Sequence, residues 1–275
     1  MTRMPELPEV ENIVRALNPL AGKKVLNVQV FHKEVLKVPS FFLCRQLRGK
    51  EILSIKRKGK YILFHFEAGW LLIIHLGMTG QLIHQEAQPD SPDKHTHVLI
   101  RFEGGSEVLY YRDIRKFGFL DLKRLDEKGL EKYFSRVGSD PFQVEKEVLV
   151  SLLKKQKTRI KPLLLSQKLV AGLGNIYVDE TLFQAGIDPR VRTSRLSRNR
   201  LGRFFDAMQG VLTEAIQKGG SSIDDYVRPD GSCGSFQDCH QVYGRAGKPC
   251  PRCGTAIKKI KMGGRGTSFC PRCQR

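Results

Sequence analysis

Apolar residues open the chain at helical spacing. Val10, Ile13, Val14 and Leu17, with Pro8 suited to a first turn, predict a helix over 8–19. From about Lys24 to Lys123 the pattern shortens. Val25–Val30, Tyr61–Phe66, Trp70–His75, His97–Phe102 and Glu107–Arg112 are short runs rich in β-branched and aromatic residues, divided by Gly69, Gly77, Gly80, Gly104 and Gly105. They predict a two-sheet sandwich with the first helix packed on it. Beyond Asp126 helical spacing returns, over Val144–Lys155, Lys161–Val170, Ile176–Ala185 and Ser197–Lys218. Ala171-Gly172-Leu173-Gly174-Asn175 breaks two of these helices. Its glycines allow backbone amides to face outward at the head of the next helix, a terminus that attracts phosphate; an ordinary helix connection is the plainer reading. Gly219-Gly220-Ser221-Ser222 begins a polar stretch through Gly234, expected as a mobile loop or linker. The expected fold class is α+β, with an N-terminal helix plus two-layer β-sandwich at 5–125, a helical domain at 126–235 and a C-terminal hairpin unit at 241–275.

Charge narrows the partners. Forty-seven Lys/Arg against 28 Asp/Glu leave a formal charge of +19 in 275 residues. Such an excess points to nucleic acid or an anionic surface. The apolar runs around Trp70–Leu76 and Leu163–Val170 are too short to span a membrane. The first residues have no apolar stretch of signal-peptide type. No coiled-coil pattern appears, so a monomer is expected.

Cysteine spacing adds a metal. Cys250, Cys253, Cys270 and Cys273 are spaced C-x2-C-x16-C-x2-C, and each C-x2-C pair can place two thiolates on one zinc ion. The four make a closed, structural Zn2+ site. The segment from Gln241 to Arg275 carries nine Lys/Arg and no Asp or Glu, a composition suited to gripping a phosphate backbone. With four of seven cysteines in zinc spacing, a reducing cytosol is the expected compartment. Cys44 reads as a core thiol, and Cys233 and Cys239 as bystanders to the completed ligand set.

Met4-Pro5-Glu6-Leu7-Pro8-Glu9-Val10-Glu11 resembles the opening of bacterial formamidopyrimidine-DNA glycosylase, the oxidised-purine repair enzyme. The resemblance runs on through Arg57-Lys58-Gly59-Lys60-Tyr61, His75-Leu76-Gly77-Met78-Thr79-Gly80 and Tyr111-Arg112-Asp113-Ile114-Arg115-Lys116-Phe117-Gly118. It continues through Lys157-Thr158-Arg159-Ile160-Lys161-Pro162, Gly174-Asn175-Ile176-Tyr177, Val242-Tyr243-Gly244-Arg245 and Gly264-Arg265-Gly266-Thr267. It implies a helix–two-turn–helix element in the helical domain, a zinc finger in the hairpin unit, and double-stranded damaged DNA lying in the cleft between the domains of a bacterial, nucleoid-associated protein.

The resemblance also implies the chemistry. The family's nucleophile is an N-terminal proline, whose equivalent is Pro5. An α-amine titrates near about pH 8, so part of it is unprotonated at neutral pH. Its attack on the sugar C1′ gives a Schiff base that releases the base and then promotes loss of the phosphates. Three residues precede Met4, and translation from Met4 with removal of that methionine is expected to free Pro5. Retention of residues 1–4 would leave a damage-binding protein without activity. Glu6 is the implied general acid/base; a first-turn glutamate pairing with the helix dipole is its plainer role. Glu9 and Glu11 read as first-turn carboxylates, with Glu9 able to position Pro5. Lys60 and Arg265 are the implied aids to β- and δ-elimination. Met78, Arg115 and Phe117 match residues that enter the duplex as the damaged base is flipped out, filling the gap, bonding the orphaned base and wedging the step. His95, Lys157 and Asn175 match phosphate contacts, Lys161 is expected near the substrate face, and Ser221 and Ser222 lie where the family folds a loop over the everted base. An oxidised-pyrimidine glycosylase of the same fold is the alternative substrate reading.

Overall fold

The computed structural model describes residues 4–87, 93–223 and 225–275. The chain divides into two compact units, Met1–Phe134 with Gly219–Ser235, and Ser135–Lys218 with Phe236–Arg275.

In the first unit, α1 (Leu7–Leu17) buries Leu7, Val10, Ile13, Val14 and Leu17 along one stripe, as its spacing predicts. Glu6 is the N-cap. Its carboxylate accepts the Glu9 N–H while the Glu9 carboxylate accepts the Glu6 N–H, a reciprocal capping box that satisfies two orphan donors. Eight strands follow: β1 (Val25–Val30), β2 (Ile52–Lys58), β3 (Tyr61–Phe66), β4 (Trp70–His75), β5 (Gly80–Gln85), β6 (Thr96–Phe102), β7 (Val108–Asp113) and β8 (Phe119–Arg124). They form two antiparallel sheets, ordered β1-β6-β7-β5 and β2-β3-β4-β8. One apolar core joins α1 to both sheets, with Val10, Ile13, Phe64, Leu72, Ile74, Val98 and Leu109 inside it. A helix absent from the sequence expectation, α2 (Ser40–Leu47), packs on β1, and α3 (Glu127–Tyr133) closes the unit.

The stretch Gly219–Gly234, expected as a mobile linker within the helical domain, instead packs into this first unit. Tyr226 lies in its core. The Ser221 N–H donates to Glu9 Oε1 at 2.8 Å, Gln81 Nε2 to the Asp225 carbonyl at 2.5 Å, and the His84 N–H to the Pro229 carbonyl at 2.9 Å. Polar composition mimics a linker here because the segment is held by hydrogen bonds more than by apolar periodicity.

The second unit contains α4 (Lys146–Lys154), α5 (Ile160–Leu165), α6 (Asn175–Gln184), α7 (Arg198–Gln217) and a hairpin of β9 (Lys258–Met262) and β10 (Arg265–Phe269). α4 and α6 pack against α7, and α6 is buried from Ile176 to Phe183. α5 stops at Leu165, short of the Val170 that its apolar run suggested. Gln167 turns into the left-handed region at φ 61°, and its side chain accepts the Gly172 N–H at 2.6 Å, so the chain leaves the helical path. Among the described residues no helix is long and apolar enough to cross a membrane.

Candidate functional site

Pro5 and Glu6 are both buried at the head of α1. The capping box fixes Glu6 against the first turn, and Glu9 extends the arrangement. One Glu9 oxygen holds the Glu6 N–H at 2.8 Å and the other holds the Ser221 N–H at the same distance. Tyr226 OH reaches the Gly219 carbonyl at 3.2 Å. Gly220 has φ 81°, and a Cβ there would lie 2.8 Å from Glu9 Oε1, so glycine is what lets the loop approach this carboxylate. The sequence reading placed Glu9 and Ser221 separately; the structure brings them together beside Pro5 and Glu6. Glu11 faces elsewhere, bridging Arg15 and Arg57 at 2.8 Å each.

Lys60 occupies the two-residue β2–β3 turn after Gly59, whose φ of 56° suits the first central position of a type II′ turn. The Lys60 side chain is buried, and its charge falls near His75. Burial above all, then Lys60 and Lys37, push the His75 imidazole down to about 4. Neutral His75 uses Nδ1 to accept the Gly77 N–H at 3.1 Å, which ties the end of β4 to the next loop.

That loop carries Met78, which is half-buried. Arg115 and Phe117 are exposed on the β7–β8 loop, with the Arg115 guanidinium 4.5 Å from the Phe117 ring centre. Lys116 between them has φ 55°, a conformation that costs a non-glycine residue energy and recurs at functional loops. His95, half-buried, sits in the turn before β6. The structure therefore gathers Met78, His95, Arg115 and Phe117 at one end of the first unit's sandwich.

In the second unit Lys157 is exposed between α4 and α5, and Asn175 begins α6 with Gly174 as N-cap. Arg265 is exposed at the first position of β10. It follows Gly263-Gly264, whose φ values of 54° and 76° fit a type I′ hairpin turn. Lys161 does not face solvent, contrary to the expectation that it lies near the substrate face. It is fully buried, donating to Asp179 Oδ1 at 2.6 Å and to the Gly266 carbonyl at 3.0 Å. A buried ammonium needs such partners, and the basic run around it hid that environment. Asp179 also accepts the Ser268 N–H at 2.9 Å, so this pair pins the strand that starts at Arg265. Next to it, the Glu180 carboxylate accepts the N–H groups of Gln241, Val242 and Tyr243 at 2.7 to 3.0 Å.

The four predicted zinc ligands converge. The Sγ atoms of Cys250, Cys253, Cys270 and Cys273 all lie within 4.8 Å of one another, with Cys250–Cys273 at 3.9 Å and Cys253–Cys270 at 3.5 Å. A tetrahedron with metal–sulfur bonds of about 2.3 Å has edges of about 3.8 Å, so the residues fit one zinc ion. Cys233 and Cys239 stand outside this set, and Cys44 is partly buried against the first unit's core.

Comparison with known proteins divides the chain into three matched segments, the second of which runs into the Gly219–Ser235 stretch that packs with the first unit. Residues 4–120 match the sequence profile of the Formamidopyrimidine-DNA glycosylase N-terminal domain, 137–227 its H2TH domain, and 247–275 the zinc finger found in FPG and IleRS. The Formamidopyrimidine-DNA glycosylase of Solibacter usitatus is 43% identical over 274 residues, covering 99% of this chain and 100% of that protein. The chain belongs to the formamidopyrimidine-DNA glycosylase family. A Bacillus cereus formamidopyrimidine-DNA glycosylase is 42% identical over 277 residues, spanning 98% of this chain and 99% of that one. Among solved structures, a Lactococcus lactis FPG variant in complex with Fapy-dG-containing DNA superposes with TM-score 0.91 at 39% identity, covering 98% of this chain and 100% of that one. The wild-type Lactococcus lactis FPG with oxidised-pyrimidine-containing DNA gives 0.89, with the same identity and coverage. In this glycosylase family the four-cysteine cluster holds one structural zinc.

Proposed function

We propose that this chain excises oxidised purines, 8-oxoguanine and formamidopyrimidines, from duplex DNA and then cuts the strand as an AP lyase, in base excision repair beside the bacterial nucleoid. Full-length kinship at 43% identity carries the reading, together with a buried Pro5–Glu6 pair at the head of α1.

Pro5 is the nucleophile. Its ring nitrogen is free only after the Met4–Pro5 amide is cut, and the N-terminal family profile begins its match at residue 4. A secondary amine adds to C1′ and the C1′–base bond breaks. The resulting iminium then draws electrons from the sugar, so a C2′ proton leaves and the C3′ phosphate departs, followed by the C5′ phosphate. Glu6 protonates the sugar ring oxygen as the ring opens. Lys60 assists the first elimination and Arg265 the second. His95, Lys157 and Asn175 contact backbone phosphates, which adds a salt-dependent, sequence-independent grip. Met78, Arg115 and Phe117 occupy the space left by the everted nucleotide. The exposure of Arg115 and Phe117 on their loop, with Met78 half-buried on the neighbouring one, supports this, because extrusion costs a few kcal/mol of stacking that inserted side chains must replace. Zinc fixes the hairpin that presents Arg265 and takes no part in bond breaking.

Borohydride trapping tests the reading. Incubation with 8-oxoguanine duplex is expected to give a covalent adduct, and peptide mass places the sugar on Pro5. An adduct on another residue removes Pro5 from the mechanism, and no adduct from protein beginning at Pro5 removes the activity. Trapping by protein beginning at Pro5 but not by protein that keeps residues 1–4 separates the enzyme from a damage-binding form. A broader lesion range has its own support in the Lactococcus lactis complex with an oxidised pyrimidine. Parallel trapping with thymine-glycol duplex measures that range.

A further inference from the structure

Four candidate DNA contacts of the first unit, Met78, His95, Arg115 and Phe117, stand on three loops, and all three loops meet at one buried residue, two at its side chain and the His95 loop at its backbone. Asp113 ends β7 and has no exposed surface. Its Oδ1 accepts Thr79 Oγ1 at 2.5 Å and the Arg115 N–H at 3.2 Å; its Oδ2 accepts the Gly118 N–H at 2.8 Å and Tyr111 OH at 3.2 Å. Its backbone N–H donates to the His95 carbonyl at 3.0 Å, and its carbonyl accepts His97 Nε2 at 2.7 Å. A carbonyl only accepts, so Nε2 carries the His97 proton. Thr79 is equally committed. Its hydroxyl donates to Asp113 and accepts the Arg115 N–H at 3.0 Å, joining the Met78 loop to the Arg115 loop through one oxygen.

Backbone packing makes the same junction. A Cβ on Gly77 would lie 2.4 Å from the Phe117 carbonyl carbon, and one on Gly118 would lie 2.0 Å from Tyr111 OH. The Gly77 backbone therefore packs directly on the backbone at Phe117, with no room for a side chain between the two loops. The exposed crest of Arg115, Lys116 and Phe117 rises from a base with both ends, Arg115 N–H and Gly118 N–H, clamped to the two oxygens of one carboxylate. A buried polar network built on a carboxylate with both oxygens bonded rigidifies what it holds.

We infer that Asp113, acting through Thr79, is a positioning residue that makes the three probe loops one rigid body, so that Met78, Arg115 and Phe117 enter the duplex together and stabilise the everted lesion. The inference rests on the insertion role assigned to those three residues. It gives Thr79 and Asp113 an effect on base eversion that exceeds their effect on chemistry at a site already lacking its base.

The test is stopped-flow fluorescence of 2-aminopurine beside an 8-oxoguanine, run alongside single-turnover excision and cleavage of a preformed abasic duplex. Thr79→Val removes the bridging hydroxyl at constant volume, and Thr79→Ala serves where valine disturbs the fold. Eversion and excision are expected to slow about tenfold, the scale of one ordering hydrogen bond. Abasic cleavage falls far less, and Thr79→Ser restores eversion. Equal loss in all three assays, or no loss in eversion, overturns the inference. Phe117→Ala is the control for the underlying reading. If it leaves eversion unchanged, the insertion role itself falls; if it slows eversion while the Thr79 variants do not, only the lock falls.

Discussion

Replacing Lys161 with methionine removes an ammonium from a fully buried site. Lys161 and Asp179 have side chains 0% and 1% exposed, and their atoms approach to 2.6 Å. Surface ion pairs contribute little, but breaking a buried pair from one side leaves a charge or an unmet acceptor in the interior, at a cost of roughly 3–5 kcal/mol. The Gly266 carbonyl also loses its donor, adding about 1 kcal/mol. Burial already pushes the Asp179 carboxyl up to about 7 against the pull of Lys161 and the Ser268 N–H, so the carboxyl can take a proton and hold the loss near the lower end. A deficit of about 3 kcal/mol in a unit of this size lowers the melting temperature by roughly 10 °C. The sole tryptophan, Trp70, lies in the first unit, whereas α4, α6 and α7 lie in the second. Far-ultraviolet circular dichroism therefore follows the helices while tryptophan fluorescence follows the sandwich. Lys161→Met is expected to shift the helical transition more than the fluorescent one. Lys161→Met with Asp179→Asn is expected to recover part of the loss, because the stranded charge is gone while an amide oxygen still accepts the Ser268 N–H. A single variant losing under about 1 kcal/mol, or a double variant as weak as the single, would refute the reasoning.

Stability is expected to depend on His75. Its folded-state value of about 4 lies below the ordinary 6.5, so unfolding takes up a proton between them; the contribution is complete above 6.5 and disappears as pH falls toward 4, roughly 3 kcal/mol in all. Urea midpoints across that window measure it, and an unchanged slope in His75→Asn would exclude His75 as the source. Stripping zinc with a chelator is expected to unfold the β9–β10 hairpin and weaken duplex binding, since metal binding supplies about 10–16 kcal/mol to such small units; full binding by protein shown to be metal-free would contradict this. Arg265→Ala is expected to impair the second strand-cleavage step more than base release, resolved on a gel by its product ends, and a uniform fall in every step would assign Arg265 to binding alone.

The strands β1, β3 and β4 were legible to the residue because apolar β-branched runs end at turn residues. β2 was not, since its second half, Lys56-Arg57-Lys58, looks like a solvated charge run. The zinc ligands were legible from spacing alone. The roles proposed for Pro5, Glu6, Lys60 and Arg265 rest on motif resemblance alone, because a proline near a chain start or a lysine in a turn carries no local mark of chemistry. Asp113 lay inside a quoted motif without a role. The available hint was an acidic residue ending a strand of buried neighbours, but its six partners come from three loops and two strands that local pattern does not join. Lys161 misled for the opposite reason, as a cation in a basic run whose counter-charge is 18 positions away.

The connectivity of the first unit bears on how the protein is made. Glu9 finds its Ser221 partner 212 positions later, after the chain has built most of the helical unit. At ribosomal speeds of about 5–20 residues per second, that interval is on the order of ten to forty seconds. Throughout it, the nascent sandwich lacks Tyr226 from its interior, and the Glu9 carboxylate waits without that backbone amide. Completion of the amino-terminal body is thereby deferred until nearly the whole polypeptide has left the ribosome, which makes the first portion synthesised among the last to be finished.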